Sequence, residues 1–396
     1  MNSLNFMEKL LDGVEVAWSN LGDEKVVQIA NNSRKPVKAS LRMPGKIPYY
    51  GANNIQDYVE GYTHDGIFVL IAEDGSASLE NYSVQWATGK FWANNHVHVL
   101  RGIGSLNSRF LYHYLRIVNF IPFLSGGGRA KLTKAKLVEI PIPIPSLGVQ
   151  NKIVCILDAF TELTAELTAE LTARKKQYTY YRDQLLTFEE GQVGWKTLGD
   201  TSLKVSSGGT PLSTRADYYG GNIPWLRTQE VLFNDIVDTE IKITKLGLEN
   251  SSAKWIPANC VIVAISGATA ARSAINKIPL TTNQHCCNLE INPECANYRY
   301  VFHWVGKEHD KLKALGQGAR ADLNSGIIKN YPIPIPFPTD PAKSLAEQAR
   351  IVSILDKFDA LTNSISEGLP REIELRQKQY EYYRNMLLTF PKAVEA

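Results

Sequence analysis

The feature that most constrains the fold is that the chain contains the same sequence pattern twice. Five blocks recur in the same order in both halves of the 396 residues. They pair residues 16–23 with 193–200, 45–49 with 221–225, 129–145 with 320–336, 147–164 with 345–362, and 174–188 with 376–390. Ordered repetition of this kind indicates a tandem duplication, and it predicts two similar folded units related by a pseudo-two-fold axis.

The two halves differ most between these blocks. Residues 24–128 and 201–318 are poor matches to one another, although both contain apolar runs typical of β-strands, such as GIFVLIA and CVIVAIS. The last blocks of each half instead predict long helices. We therefore expect an α+β protein with two globular mixed α/β domains, residues 1–145 and 191–338. Two long antiparallel helices, residues 146–190 and 339–396, are expected to separate them.

The first long helix carries a four-residue repeat, TELTAELTAELTA, from Thr161 to Ala173. Apolar residues in both helical blocks are spaced alternately three and four apart, which predicts a coiled coil between the two helices. One added four-residue unit lengthens a helix by about 6 Å and rotates the residues after it by roughly 40° beyond a full turn. The repeat is therefore interpreted as a spacer.

The second long helix carries its own start and stop signals. Ser344 and Glu347 have the spacing of a capping box, so we expect the helix to begin at Ser344. Gly368 and Pro370 predict a break or kink, because proline lacks the amide hydrogen and clashes with the preceding turn.

Composition favours an intracellular protein. The net charge is +3, which permits a nucleic-acid partner without requiring one. The five cysteines show no C-x-x-C spacing, and such usage suits a reducing compartment. No stretch is long and apolar enough to span a membrane, and the N-terminus lacks a signal-peptide pattern. We expect a cytoplasmic protein with no membrane partner.

The sequence contains no recognisable catalytic motif. No P-loop pattern exists, and no Asn/Asp-Pro-Pro-aromatic loop of the kind that seats a base in an amino-methyltransferase. His96 and His98 lie in a β-like alternation, and His285, Cys286 and Cys287 lack a paired ligand set. We therefore predict no catalytic residue, no metal site and no cofactor in this chain.

Both variable regions carry polar and aromatic residues beside Gly/Pro turns, at corresponding points of the two halves. Asn and Gln side chains can read adenine, Arg can read guanine, and Lys or Arg can hold phosphates. The other interpretation is that these are ordinary loop residues. The candidate DNA-binding residues of the first half are Arg34, Tyr49, Tyr50, Asn53, Asn54, Trp92, Asn94, Asn95, Arg129 and Lys131. Those of the second half are Thr210, Arg215, Trp225, Arg227, Thr228, Gln229, Asn283, Gln284, Gln317 and Arg320.

The whole chain resembles the specificity subunit (HsdS) of a type I restriction-modification enzyme, and most closely the type IC subclass. The resemblance rests on the TAEL repeats, the paired RKKQYTYYRDQLLTF and RQKQYEYYRNMLLTF segments, GLPREIEL, the SGGTP and IPW turns, and WIPAN followed by TTNQ. It implies two target-recognition domains, each reading one half of a split site in double-stranded DNA. The resemblance also implies that the constant helices dock two methyltransferase subunits (HsdM), which methylate adenine with S-adenosylmethionine, and restriction subunits (HsdR) that use ATP and Mg²⁺.

Under this resemblance the repeat acts as a ruler, since one unit rotates the chain about as far as one base-pair step rotates DNA. The first half departs from the family pattern, showing Trp92-Ala-Asn94-Asn95 where the second half has Thr281-Thr-Asn283-Gln284. Two other functions remain open at this point. One is a self-contained modification enzyme, and the other is a coiled-coil adaptor that binds no DNA.

Overall fold

The structure is a computed structural model that describes residues 15–126, 130–317, 322–363 and 368–390. It forms two compact units. Unit 1 comprises Met1–Ala165 together with Leu375–Ala396, and unit 2 comprises Glu166–Glu374.

Unit 1 is built around a six-stranded sheet with the order β2-β7-β5-β6-β3-β4. Strand β3 pairs in parallel with β6, and the other pairs are antiparallel. The first and last strands, β1 and β8, form a separate two-stranded ribbon. The strands of unit 1 are β1 (Ala17–Asn20), β2 (Val27–Ile29), β3 (Pro44–Tyr50), β4 (Ile55–Val59), β5 (His64–Ala72), β6 (Val84–Ala93), β7 (Val97–Gly102) and β8 (Pro141–Ile144), with helices α1 (Ser108–Leu115) and α2 (Lys134–Leu137).

The core of unit 1 includes residues from two helices that are far apart in the sequence. These helices are α3 (Leu147–Leu185) and α9 (Gly368–Leu388). Leu157 of α3 and Leu387 of α9 are both fully buried in the same hydrophobic cluster. Phe160 stacks on Tyr383 with ring centroids 5.3 Å apart. The C-terminal end of α9 therefore packs in the same hydrophobic core as β1, the first strand of the unit.

Unit 2 contains a five-stranded sheet, β10-β18-β15-β16-β12, and a four-stranded sheet, β13-β11-β17-β14. A ribbon of β9 and β19 matches the β1–β8 ribbon of unit 1. Its strands are β9 (Val193–Thr197), β10 (Ser202–Ser207), β11 (Tyr219–Leu226), β12 (Asn234–Ile236), β13 (Lys242–Ile243), β14 (Trp255–Ile256), β15 (Val261–Ala264), β16 (Ser273–Asn276), β17 (Leu280–Thr282), β18 (Cys286–Ile291) and β19 (Pro332–Pro336). Its helices are α4 (Lys245–Glu249), α5 (Tyr298–Lys307), α6 (His309–Ala314), α7 (Ser325–Lys329) and α8 (Pro341–Asn363).

The core of unit 2 repeats the helix contacts of unit 1. Leu355 of α8 and Leu186, just beyond α3, are buried in the same cluster. Tyr181 stacks on Phe358 at 5.4 Å, with the same 22° interplanar angle as Phe160 on Tyr383. Since Phe160 corresponds to Phe358 and Tyr181 to Tyr383 in the duplicated blocks, each unit contains one copy of the same contact.

The two ribbons pair equivalent residues of the duplicated blocks. Trp18 lies opposite Pro143 in the first ribbon, and Trp195 lies opposite Pro334 in the second. The structure thus confirms the expected α+β class, with two mixed α/β units and a long helix in a duplicated chain.

The four-residue repeat lies entirely within α3. None of its residues is buried, and Leu163, Leu167 and Leu171 are half-buried. Threonine hydroxyls of the helix bond to carbonyls four residues back, as Thr161 does to Leu157 and Thr172 to Thr168. Because no core position lies in the repeat, its length can change without opening a cavity.

The start of α8 differs from the prediction. The helix begins at Pro341, and the carboxylate of Asp340 accepts a hydrogen bond from the Lys343 amide at 3.0 Å. Ser344 is buried one turn inside the helix and accepts a hydrogen bond from Gln348. The predicted capping box is therefore wrong, because Asp340 and Pro341 supply an earlier N-cap and first position. The predicted break is supported at Gly368, the first residue of α9, whose φ of 78° lies outside the right-handed helical region.

Among the described residues, no helix is long and apolar enough to cross a membrane.

Candidate nucleic-acid interface

The same turn occurs in both units, directly after the strand that pairs in parallel with the IPY or IPW motif. In unit 1, Tyr49 lies opposite Trp92, and the chain then turns at Asn94. In unit 2, Trp225 lies opposite Thr281, and the turn follows at Asn283. The parallel pairing therefore places two sequence motifs that are more than 40 residues apart next to each other in each unit.

A buried asparagine shapes each turn. The Asn94 side-chain oxygen accepts a hydrogen bond from the His96 amide at 2.8 Å, and that of Asn283 accepts one from the His285 amide at 3.1 Å. The Asn94 amide also bonds to the Tyr50 carbonyl. Side-chain bonds to the backbone two residues on are typical of Asx turns. Asn94 and Asn283 are thus structural residues.

The next residue in each turn carries an exposed carboxamide. Asn95 follows Asn94, and Gln284 follows Asn283, and both are exposed. Carboxamides can donate to and accept from the edge of adenine at once. A histidine, His96 or His285, comes next in each case. The duplicated turn therefore exposes a carboxamide side chain at equivalent points of two different sequences.

In unit 1 a charged network supports this turn. Arg34 donates to Glu73 at 2.6 Å and to the Val97 carbonyl at 2.8 Å, and Lys131 lies 3.0 Å from Glu73. Burial alone would raise the pKa of Glu73, but the hydrogen bonds from Arg34 and Lys131 lower it below its ordinary value. Arg34 is accordingly a support of the turn, while Lys131 stays half-exposed beside it.

In unit 2 the SGGTP loop supports the turn. Thr210 donates a hydrogen bond to the side-chain oxygen of Gln284. The Gly209 amide donates to the Thr282 carbonyl at 2.9 Å. The Gly209 carbonyl accepts a hydrogen bond from the Trp225 indole at 2.9 Å. A Cβ at Gly208 would overlap the Thr282 backbone, so glycine is required for this close approach.

The structure gives several other candidates a structural partner. Tyr49 is buried and its hydroxyl accepts from the Val37 amide, and the Trp92 indole donates to the Lys35 carbonyl. Arg215 pairs with Asp217, and Arg227 pairs with Glu240 at 2.7 Å. The remaining positions are Tyr50, packed on Phe91; Asn53, bonded to Gly75 and Ala77; Asn54, bonded to the Ile55 amide; Thr228, which accepts from Thr269; exposed Gln229; and Gln317, bridged to Asp322.

Arg129 and Arg320 lie outside the described residues. Of the other candidates, the turn brings Arg34, Asn94, Asn95 and Lys131 together in unit 1, and Thr210, Trp225, Asn283 and Gln284 in unit 2. Asn53 bonds to Gly75 and Ala77, Arg215 pairs with Asp217, and Gln317 bridges Asp322, and these partners are not residues of the turn.

Sequence reasoning missed a duplicated polar clamp between each domain and its long helix. Arg109 and His113 of α1 both contact the Asp158 carboxylate at 2.8 Å. In unit 2, Arg299 and His303 of α5 contact Asp356 at 2.8 and 2.7 Å. Alignment of NSRFLYHYLR with NYRYVFHWVG could have revealed it.

The two clamps differ in their surroundings. Burial lowers the pKa of His113 to about 4, despite the neighbouring Asp158 carboxylate. In unit 2 the ring of His303 also contacts the Tyr178 hydroxyl at 3.1 Å. The residue that corresponds to Tyr178 is Tyr380, and its hydroxyl instead accepts from Arg116 at 3.0 Å.

The histidines and cysteines considered as metal ligands have other environments. His98 is buried between the Leu132 carbonyl and Asn31, and His96 contacts Asp74 at 2.6 Å. Burial raises the pKa of the Cys287 thiol to about 11. In the part of the chain that the structure describes, no group of three His, Cys, Asp or Glu side chains could hold a metal ion.

Two copies of one fold in a duplicated chain, each with an equivalent turn that exposes a carboxamide, are the architecture of a two-domain DNA specificity protein. The chain belongs to the type I restriction modification DNA specificity domain family, whose profile matches residues 15–174 and 192–375. It is a specificity subunit with two target-recognition domains, which is the non-catalytic, DNA-recognising component of a type I restriction-modification system.

Relatives match over nearly the full length. A Haemophilus influenzae protein assigned as a type I restriction enzyme specificity subunit is 49% identical, covering 98% of this chain and 99% of its own. The specificity subunit of EcoR124I/EcoR124II from Escherichia coli is 38% identical, covering 99% and 98%. The S subunit structure from M. genitalium shares the fold with a TM-score of 0.64 at 15% identity, covering 97% and 98%.

Proposed function

We propose that each unit reads one half of a bipartite site in double-stranded DNA, with Asn95 and Gln284 facing the bases. The observation that carries this proposal is the repeated turn, in which a buried asparagine presents an exposed carboxamide. A coiled-coil adaptor would have no use for such a turn in both of its units. The reading function is assigned to residues 1–145 and 191–338, and the helical segments 146–190 and 339–396 link them.

The four-residue repeat of α3 sets the number of unread base pairs between the half-sites. The absence of buried side chains in the repeat supports this proposal, because units can be added or removed without damaging a core. One unit changes the helix length by about 6 Å, against about 3.4 Å per base pair of DNA, so small adjustments in the complex must absorb the remainder. The same repeat is the basis for proposing the type IC subclass.

The chemistry belongs to partner subunits. Two methyltransferase subunits with S-adenosylmethionine, and restriction subunits with ATP and Mg²⁺, would assemble on the constant helices. The exposed tyrosines Tyr180 and Tyr382, at equivalent points of α3 and α9, offer apolar surface for such docking. The net charge of only +3 suggests that partners supply much of the phosphate contact. Such a complex would act in the cytoplasm.

Sequencing of methylated adenine in cells that express the chain with its methyltransferase partner tests the proposal. The expected motif has two short half-sites and a fixed gap. Deletion of residues 168–171 should shorten the gap by about one base pair and leave both half-sites unchanged. After the deletion, Glu166 takes the place of Glu170 in the ion pair with Arg174, so the helix keeps this contact.

The matched control is Thr168→Ala, which keeps the helix length and should keep the gap. A deletion variant that methylates the original spacing would refute the ruler. A single continuous motif in the wild type would refute the two-reader proposal.

A further inference from the structure

Unit 1 contains a strongly basic segment that has no counterpart in unit 2. Residues 31–46, here called the basic segment, contain five Lys or Arg residues and no Asp or Glu. The corresponding residues 207–222 contain one Arg and one Asp, and these pair with each other. The duplicated units therefore differ in charge next to equivalent motifs.

The basic segment is fixed directly beside the reading turn of unit 1. The Lys35 amide bonds to the Ala93 carbonyl at 3.0 Å, and the Lys35 carbonyl accepts from Trp92 at 2.7 Å. Ala93 immediately precedes Asn94 and Asn95. The segment is thus held by the strand that ends in the turn.

A second set of contacts fixes the far part of the basic segment. The Tyr49 hydroxyl accepts from the Val37 amide at 3.1 Å, and the Arg42 guanidinium lies 4.1 Å from the centre of the Tyr49 ring. Arg42 also contacts Asp57 at 3.3 Å. Tyr49 and Trp92, both predicted as reading residues, act here by positioning this segment.

Three of the five cations are available to a ligand. Lys35, Lys38 and Lys46 are exposed, and none of them forms an ion pair with another described residue. Arg34 is engaged with Glu73 and Arg42 with Asp57. Phosphate groups bind such free ammonium groups and release counterions, which stabilises the complex.

Exposed apolar side chains accompany these lysines. Leu41 is 69% exposed and Met43 is 65% exposed. With Lys35, Lys38 and Trp92 they line a cleft of about 500 Å³, in which Glu60 is also a lining residue. Apolar side chains between phosphate-binding cations suit a nucleic-acid groove, where they contact sugars and base edges.

We propose that the basic segment is the DNA anchor of unit 1: Lys35, Lys38 and Lys46 hold backbone phosphates, and Leu41 and Met43 contact the groove. This inference rests on the proposed function, in which unit 1 reads DNA. Unit 1 therefore has a phosphate-binding element beside its turn that unit 2 lacks at the equivalent residues 207–222.

The test measures affinity against salt concentration for the complex of this chain with its methyltransferase subunits. One probe is a duplex that contains the motif identified by methylated-adenine sequencing. The other is a duplex in which both half-sites are scrambled. The variant K35A/K38A/K46A should reduce the magnitude of the slope of log affinity against log salt by about 2.7 on both duplexes, since each of the three lost phosphate contacts contributes roughly 0.9. The charge-matched control K196A/K313A/K329A, three exposed lysines of unit 2, should leave the slope unchanged.

A second variant tests the apolar contact. L41A/M43A should weaken binding of the motif duplex about tenfold without changing the salt slope, and it should leave the thermal stability unchanged. Loss of methyltransferase subunits from this variant in analytical ultracentrifugation would mean that the apolar pair docks protein and would overturn that part.

The possible failures are distinguishable. A wild-type complex that binds the motif specifically, with an unchanged slope in K35A/K38A/K46A, overturns the anchor alone. A wild-type complex that binds both duplexes equally overturns the proposed function.

Discussion

The adjacent residues Asn94 and Asn95, in the turn after β6, have different roles. Asn94 is buried and holds the turn through its bond to the His96 amide, whereas Asn95 is exposed. Asn94→Ala should lower the free energy of unfolding by about 1–3 kcal/mol, because the partly buried His96 amide loses its acceptor. Asn95→Ala should change it by less than about 0.5 kcal/mol. Urea denaturation followed by tryptophan fluorescence measures both, and equal losses would contradict the assignment.

Because His113 is buried, the free energy of unfolding depends on pH. Its pKa is about 4 in the folded chain, against 6.5 when unperturbed, since burial disfavours the charged ring. The unfolded chain therefore binds more protons between these values. The contribution of neutral His113 to the free energy of unfolding is fully present above pH 6.5. It is lost as the pH falls towards 4, and the total loss is about 3 kcal/mol.

The variant His113→Gln keeps a donor for Asp158 and cannot ionise. Its unfolding free energy should fall about 3 kcal/mol less than that of the wild type between pH 7 and pH 4, in matched urea titrations. The exposed histidine variant His285→Gln serves as the control and should follow the wild type. Parallel pH profiles for the wild type and His113→Gln would refute this origin.

At the scale of elements, the start of α3 packs into the core of unit 1, whereas the repeat in its middle contributes no buried side chain. Leu157 is fully buried in the core of unit 1, whereas Leu167 in the repeat is half-buried. Leu157→Ala should cost about 2–5 kcal/mol of unfolding free energy through lost burial and a cavity. Leu167→Ala should cost less than about 1 kcal/mol. Urea denaturation of both variants under the same conditions measures these losses of unfolding free energy. A larger loss for Leu167→Ala than for Leu157→Ala would show that the repeat belongs to a core.

At the scale of the whole molecule, the duplication predicts independent reading. Asn95→Ala should change the methylated motif only in one half-site, and Gln284→Ala only in the other, because each carboxamide belongs to a separate compact unit. Methylated-adenine sequencing of cells carrying each variant measures this. Changes in both half-sites from a single substitution would show that the units do not read separately.

The sequence by itself determined the duplication, the α+β class, the long helix and the specificity-subunit family. Repeated blocks and helical periodicity are properties of sequence order, so they need no coordinates. The sequence also placed Asn95 and Gln284 among the candidates. It could not separate them from Asn94 and Asn283, because burial depends on neighbouring strands.

The sequence pattern gave the wrong first residue for α8, because two possible helix starts lie close together in the chain. The capping box at Ser344 was outweighed by Asp340 and Pro341, four and three residues earlier, and burial of Ser344 favours the longer helix. Only the tertiary structure decided that Tyr49 and Trp92 hold a basic segment, and that Arg109, His113 and Asp158 form a clamp. These contacts join residues between 12 and 57 positions apart, and chain order does not encode which distant side chains a fold brings within hydrogen-bonding distance.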